Sequence, residues 1–172
     1  MHFSELFKFC PVCGSADFVQ NNEKSKNCKA CGFVYYINAS AAVAAFVVND
    51  AGELLICKRA KEPAKGTYDL PGGFVDSNES AEIALKRELL EELNAEIIEM
   101  DYQFSLPNIY EYSGMTIPTL DLFFTCKLNS YDNLQPADDV EDCFFVPVAE
   151  LNPALFGLSS IKKAVEILKK NK

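Results

Sequence analysis

Gly73 to Ala95 reads GFVDSNESAEIALKRELLEELNA, and this stretch decides the fold. Glu88, Glu91 and Glu92 stand at i, i+3 and i+4, so on a helix their carboxylates share one face. At 3.6 residues per turn they occupy an arc of roughly 100°. Ile83, Leu85, Leu89, Leu90 and Leu93 are expected on the opposite side as a core-facing stripe, with Ala84 the one small residue among the acids. Ser80 is placed to cap the helix and Glu82 suits its first turn. Three carboxylates this close repel one another unless a cation sits between them, and oxygen ligands of this kind suit Mg²⁺ or Mn²⁺. A solvated acidic face is the common reading of such a run. Against it, acids in a last turn oppose the helix dipole. Leu70-Pro71-Gly72-Gly73, just ahead, is also a glycine turn whose backbone can approach a ligand closely. Turn, helix and acidic patch together suit a metal–phosphate site.

The whole chain has 172 residues, 49% of them hydrophobic, enough for one core domain and a small appendage. Its net charge of −9 lacks the electrostatic footprint of a nucleic-acid binder and disfavours that partner. The same charge suits a small phosphorylated ligand neutralised by metal. No apolar run reaches the ~18 residues of a membrane span. MHFSELFKFC has no basic start followed by an apolar stretch, so no signal peptide and a cytosolic protein are expected. His2, the one histidine, sits at the terminus, so the chemistry is expected to run on carboxylates and metal.

Upstream, Cys10-Pro-Val-Cys13-Gly and Cys28-Lys-Ala-Cys31-Gly have zinc-ribbon spacing. Each pair closes a tight turn that aims two thiolates at one ion, with Gly14 and Gly32 supplying backbone freedom. Disulfides are the alternative, disfavoured in a reducing cytosol. Residues 1–37 are therefore expected to form a ribbon folded around Zn²⁺. Four protein ligands make that site structural. A spacer or dimerisation role is the plain reading of such a ribbon.

Asp17 to Gln20 is a short strand candidate, and Phe33 to Ile37 leads towards the main domain. Ala41 to Val48, the turn Asn49-Asp50-Ala51-Gly52 and Leu54 to Cys57 read as a hairpin. Lys58, Arg59, Lys61 and Lys65 form either a solvated basic loop or a phosphate contact. After Ala95 come a strand at Ile97 to Phe104, a Pro-, Asn- and Tyr-rich loop, and a strand at Thr119 to Leu128. Tyr110 and Tyr112 suit either stacking on a base or nicotinamide ring or ordinary loop packing. Ala137 to Asp142 is a second acidic group, commonly a solvated loop, before a strand at Cys143 to Val148. Pro147 to Phe156 connects to a short helix, and Ser159 to Lys170 is a final amphipathic helix, with Ile161, Ala164, Val165 and Leu168 inward. Cys57, Cys126 and Cys143 read as inert core thiols.

The central stretch resembles the Nudix box, G-x5-E-x7-R-E-U-x-E-E-x-G-U, where U is a bulky aliphatic residue. Gly73, Glu79, Arg87, Glu88, Leu89, Glu91 and Glu92 match it. Asn94 replaces the second glycine, and Asn tolerates a left-handed cap best among non-glycine residues. Ala95 replaces the last aliphatic. With its ribbon, the chain resembles the NADH pyrophosphatase-like group of Nudix hydrolases. The resemblance implies an α/β fold, an α/β/α sandwich with a mixed sheet over residues 38–172. It implies Mg²⁺ or Mn²⁺ held by Glu88, Glu91 and Glu92, with the Gly72 carbonyl as a further ligand. Arg87 is then a positioning residue for the box carboxylates, Glu79 included. Arg59 and Lys65 meet substrate phosphates, and Tyr110 and Tyr112 select the substrate. Asp139, with Glu141 as the alternative, is the late acidic residue, and either Glu91 or Asp139 is the base. NADH pyrophosphatases carry an S-Q-P-W-P-F-P-type motif that Ser105 to Tyr110 matches only faintly, and the chain has no Trp.

The implied activity is hydrolysis of a nucleoside diphosphate linked to another moiety, with the ribbon tilting the substrate towards dinucleotides. The family also implies a homodimer. Two other readings stand beside the hydrolase: a Nudix-fold module that senses a nucleotide metabolite without turnover, and a zinc-ribbon RNA-binding factor, which the charge disfavours.

Overall fold

The computed structural model describes residues 3–170; His2 lies outside them. The chain forms two compact units. One takes the described residues up to 39 together with 109–118, and the other takes 40–108 and the described residues from 119 onward. Among the described residues no helix is long and apolar enough to cross a membrane.

The first unit opens with one helical turn, α1 (Phe3–Leu6), followed by β1 (Phe18–Asn22), β2 (Ser25–Cys28) and β3 (Val34–Tyr36). The strands pair antiparallel in the order β1-β2-β3. Phe33 to Ile37 thus does not simply lead into the main domain: its centre turns back on β2, with Tyr36 opposite Ser25. The apolar core is small, built of Cys10, Phe18 and Cys28 with Phe7, Phe33 and Tyr35 packed on them. So little buried area does not hold a fold by itself.

The second unit contains β4 (Ser40–Val47), β5 (Glu53–Arg59), β6 (Tyr68–Asp69), α2 (Ala81–Leu93), β9 (Val140–Pro147) and α3 (Ser159–Lys170), with most of β7 (Ile97–Tyr112) and β8 (Met115–Leu128). Its strands form two three-stranded sheets, β4-β8-β7 and β6-β5-β9. β4 runs parallel to β8, while β5 is antiparallel to β6 and β9, so the β-layer is mixed. One core face carries Leu85, Leu89 and Leu93 of α2 against Val43, Val47, Leu55 and Phe124. The other carries Ile161, Ala164 and Val165 of α3 against Ala44, Phe46, Ile56 and Phe123. Both sheets feed both cores, which makes an α/β/α sandwich.

Two sequence expectations give way here. β4 and β5 are not a hairpin: after one bridge, Val48 to Leu54, they part into different sheets. Val43 to Val47 is buried residue by residue, and a strand apolar on both faces is satisfied in a covered parallel pairing. The loop expected after Phe104 is strand as well. β7 runs to Tyr112 and turns through Ser113 and Gly114, both at positive φ (49° and 75°), the two-residue turn that matches strand twist. Pro107 is tolerated because β7 is the edge strand. The connection from Pro147 to Phe156 holds two 3₁₀ turns, Val148–Glu150 and Pro153–Leu155, before α3 begins at Ser159.

Candidate active site

α2 is capped as its sequence dictates. Ser80 Oγ accepts the Ile83 N–H at 3.3 Å. Asn94 closes the helix in the left-handed region, φ 52° and ψ 40°, and its N–H and that of Ala95 return to Leu90 and Leu89 at 3.0 and 3.2 Å. The apolar stripe is narrower than expected. Leu85, Leu89 and Leu93 are fully buried, but Ile83 and Leu90 are more than half exposed. At 100° per residue, Glu88 and Glu92 abut the leucine arc instead of opposing it. Ile83 and Leu90 therefore fall outside, and Glu92 is drawn inside at 5% exposure.

The glycine turn packs against β4. Val43 N–H donates to the Gly73 carbonyl at 2.8 Å and Ala45 N–H to the Pro71 carbonyl at 2.9 Å, leaving the Gly72 carbonyl outside that ladder. Gly72 has φ 141°, and a Cβ there would lie 2.1 Å from the Val43 carbonyl oxygen, so only glycine fits. Its N–H donates to Glu92 Oε2 at 2.9 Å. A Cβ on Gly73 would fall 2.5 Å from Glu88 Oε1. The two glycines thus make room for the strand on one side and a carboxylate on the other.

Arg87 gathers the acids. Its Nε and Nη2 fork onto Glu79 at 2.8 and 2.9 Å, Nη1 reaches Glu88 at 2.8 Å and Glu91 at 3.1 Å, and Nη2 also donates to the Phe74 carbonyl at 3.0 Å. This bidentate grip holds the Glu79 carboxyl down at about 2. Glu92 and Glu88 go the other way. Burial pushes Glu92 well above the usual carboxylate range; the Gly72 N–H opposes this, and the charges of Glu88, Asp69 and Asp139 add to it. Burial likewise raises Glu88 against the pull of Arg87. Buried carboxylates that must ionise together call for a cation, and the donors here are all oxygens, which fits Mg²⁺ or Mn²⁺.

The other predicted residues are distributed as follows. Arg59 Nη1 lies 2.5 Å from Asp69 Oδ2 and its Nε donates to the Pro63 carbonyl at 2.8 Å. Lys65 is exposed. Asp139 lies 2.5 Å from Lys61 Nζ, and its carbonyl accepts the Ala60 N–H at 2.8 Å. Glu141 pairs with Lys58 at 2.9 Å. Tyr110 and Tyr112 belong to the unit that contains the ribbon. Sequence reasoning missed Asp69, which is 7% exposed and raised by burial although Arg59 opposes this. It also missed Asp121, buried between Thr119 Oγ1 at 2.6 Å and Ser160 Oγ at 2.5 Å. A single acid within the apolar strand pattern of Thr119 to Leu128 was the available signal for Asp121, and Asp69 in Gly66 to Gly72 carried none.

The ribbon's four Sγ atoms lie within 4.8 Å of one another, the one such ligand set among the described residues. The two knuckles repeat one geometry. Gly14 N–H returns to the Cys10 carbonyl and Gly32 N–H to the Cys28 carbonyl, each at 2.9 Å, while Cys10 and Cys28 N–H reach Ser15 and Phe33 at 2.9 and 2.8 Å. Both glycines have positive φ. Burial would raise the Cys28 thiol, but N–H groups of the Cys31 turn and neighbouring thiols bring it down to about 7. Four converging sulfurs on two matching turns fit a tetrahedral Zn²⁺.

The profile of the NUDIX domain matches residues 39–165, and the chain belongs to the Nudix family. It is 25% identical over 152 residues to the NAD-capped RNA hydrolase NudC of Deinococcus radiodurans, covering 87% of this chain and 52% of that protein. To the protein of the same name from Chromobacterium violaceum it is 31% identical over 140 residues, covering 81% and 50%. The chain thus spans about half the length of the curated relatives it matches. A crystal structure of a NUDIX hydrolase from Nitrosomonas europaea shares the fold, with a TM-score of 0.72 at 24% identity over 96% of this chain and 92% of that one.

Proposed function

We propose that the chain is a metal-dependent hydrolase that splits the pyrophosphate of a nucleoside diphosphate linked to a second moiety, releasing two monophosphates. One observation carries the reading: the Arg87 fork gathers Glu79, Glu88 and Glu91 beside a buried Glu92 anchored on the glycine turn. Glu88, Glu91, Glu92 and the Gly72 carbonyl would hold Mg²⁺ or Mn²⁺. When bound, that ion neutralises the diphosphate and lowers the pKa of the attacking water. Arg87 positions the carboxylates without touching substrate. A carboxylate oxygen of Glu91 or Asp139 takes the proton, and Arg59 and Lys65 meet the phosphates.

The substrate we favour is a dinucleotide of the NAD(H) or ADP-ribose kind. The relatives named for NAD-capped RNA support this preference. Residues 1–37 serve as a structural zinc ribbon and 38–172 as the hydrolase domain of a cytosolic homodimer.

The test is a product screen with Mg²⁺ and then Mn²⁺ on NADH, NAD⁺, ADP-ribose, FAD, sugar nucleotides, triphosphates and a NAD-capped oligonucleotide. A nucleoside monophosphate from at least one is expected. The Glu91→Gln/Glu92→Gln double variant should lose orders of magnitude in rate. Near-full activity in that variant refutes the assignment, and ligand-induced stabilisation without product favours a sensing module.

A further inference from the structure

We propose that Cys57 and Cys143 form a dithiol site that closes to a strained, reducible disulfide, clamping β5 to β9 behind the box acids. The two residues are direct partners in the antiparallel register, and both are free thiols. Which kind of pair they form follows from the neighbouring hydrogen bonds. Arg59 N–H donates to Thr67 and its carbonyl accepts from Gly66, whereas Ala60 N–H donates to Asp139. Backbone groups alternate sides along a strand, so Cys57, like Arg59, directs its N–H and C=O towards β6, where it pairs with Asp69. Towards β9, Cys57 and Cys143 are therefore a non-hydrogen-bonded pair. Such pairs have Cα atoms about 4.5 Å apart and side chains close together. Disulfides span about 4.4–6.8 Å between Cα atoms, most often about 5.5–6 Å. The bridge is in reach but compressed, the geometry of a bond that is readily reduced.

Both side chains lie on the face covered by α2. Cys143 is half-buried and Cys57 fully buried, so Cys143 is the entry point. Hydrogen peroxide oxidises the Cys143 sulfur to sulfenic acid, releasing water. The Cys57 thiol then displaces that hydroxyl as a second water and forms the S–S bond. Two electrons pass from the two sulfurs to the peroxide. Burial raises both thiols, so the first step is slow and closure rests on proximity. Cys126 is an internal control: it is equally buried, but Val47 stands opposite it. The functional consequence rests on the hydrolase reading. Cys57 senses the charge of Glu92 and Asp69, and β9 begins immediately after Asp139. Relief of that compression pushes the strands apart and shifts those carboxylates.

The test treats the full zinc-loaded chain with hydrogen peroxide, alkylates the remaining thiols and maps the digested peptides. The expected product is a Cys57–Cys143-linked peptide lighter by two hydrogens, with Cys126 alkylated. Turnover should fall by about tenfold or more, return with dithiothreitol, and resist peroxide in Cys143→Ser. Separate alkylation of Cys57 and Cys143 overturns the proposal whatever the activity. A linked peptide in a chain that hydrolyses nothing before treatment supports the site and counts against the hydrolase reading.

Discussion

Gly73→Ala separates site geometry from fold stability. The three atoms nearest the added Cβ would all belong to Glu88: Oε1 at 2.5 Å, Cδ at 2.6 Å and Oε2 at 2.8 Å. These are the free end of a side chain, and Gly73 is not among the residues at positive φ, so the backbone tolerates alanine. Ordinary contact begins at 3.4 Å, so the carboxylate has to retreat by close to 1 Å and give up its 2.8 Å bond to Arg87. A misplacement of ~1 Å costs about 100-fold in rate. The same retreat changes stability by no more than about 1 kcal/mol, or a Tm shift of about 2–4 °C. Gly72→Ala is the opposite case. Its Cβ meets the Val43 backbone oxygen at 2.1 Å with φ 141°, and a rigid clash plus a strained dihedral should cost at least ~3 kcal/mol, about 10 °C in Tm. Initial rates with Mg²⁺, Mn²⁺ titration and thermal melts on both variants decide the matter. Wild-type kcat/KM in Gly73→Ala, or melting as low as that of Gly72→Ala, refutes the reasoning.

Arg87→Lys keeps the charge but loses the fork; Mn²⁺ affinity and rate should fall about 10–100-fold, and an unchanged Mn²⁺ titration contradicts the gathering role. The Glu79 carboxyl, held at about 2 against an ordinary 4.5, binds fewer protons folded than unfolded. Its contribution is therefore present above about pH 4.5 and lost as pH falls towards about 2. Urea unfolding of wild type and Glu79→Gln should show a stability gap that closes across that window; a pH-independent gap rules the ion pair out as its source. Asn94→Gly should gain a few tenths to about 1 kcal/mol at this left-handed cap, and Asn94→Ala should lose about 1 kcal/mol; melts that rank the two the other way sink the capping argument. One zinc per chain is expected, and a strong chelator should abolish amide protection in β1 to β3; protection that persists without zinc refutes a metal-held ribbon.

Local chemistry explains what the sequence revealed and what it concealed. Ser80, Asn94 and the i, i+3, i+4 acids act within a helical turn or two, so α2 and its caps were readable, as were the paired cysteine knuckles. Partners far along the chain were not. Asn49 to Gly52 makes the turn a hairpin needs, yet parallel pairing with β8 claims β4. Proline in 105–112 reads as a loop until β7 is known to be an edge. Ile83 and Leu90 read as core because hydrophobicity alone does not say where a stripe ends. Arg59 stands out by its position, but its ion-pair partner Asp69 becomes visible only when β5 and β6 are side by side.

The parallel pairing of β4 with β8 also shapes how the chain folds. Ser40 meets Thr119 and Glu53 meets Pro147, so β4 and β5 each wait for these partners, about 80 and 90 residues further on. Such distant closures slow folding. On the ribosome, Ala41 to Val48 and Leu54 to Cys57 emerge apolar, and beyond the short β6 pairing and the Val48–Leu54 bridge they lack their main partners until nearly the whole domain has been made. The cysteine knuckles span only Cys10 to Cys31 and need none of that. A nascent chain therefore carries its cysteine knuckles ahead of an aggregation-prone segment, and its yield on expression should depend on synthesis rate and chaperone supply more than on zinc.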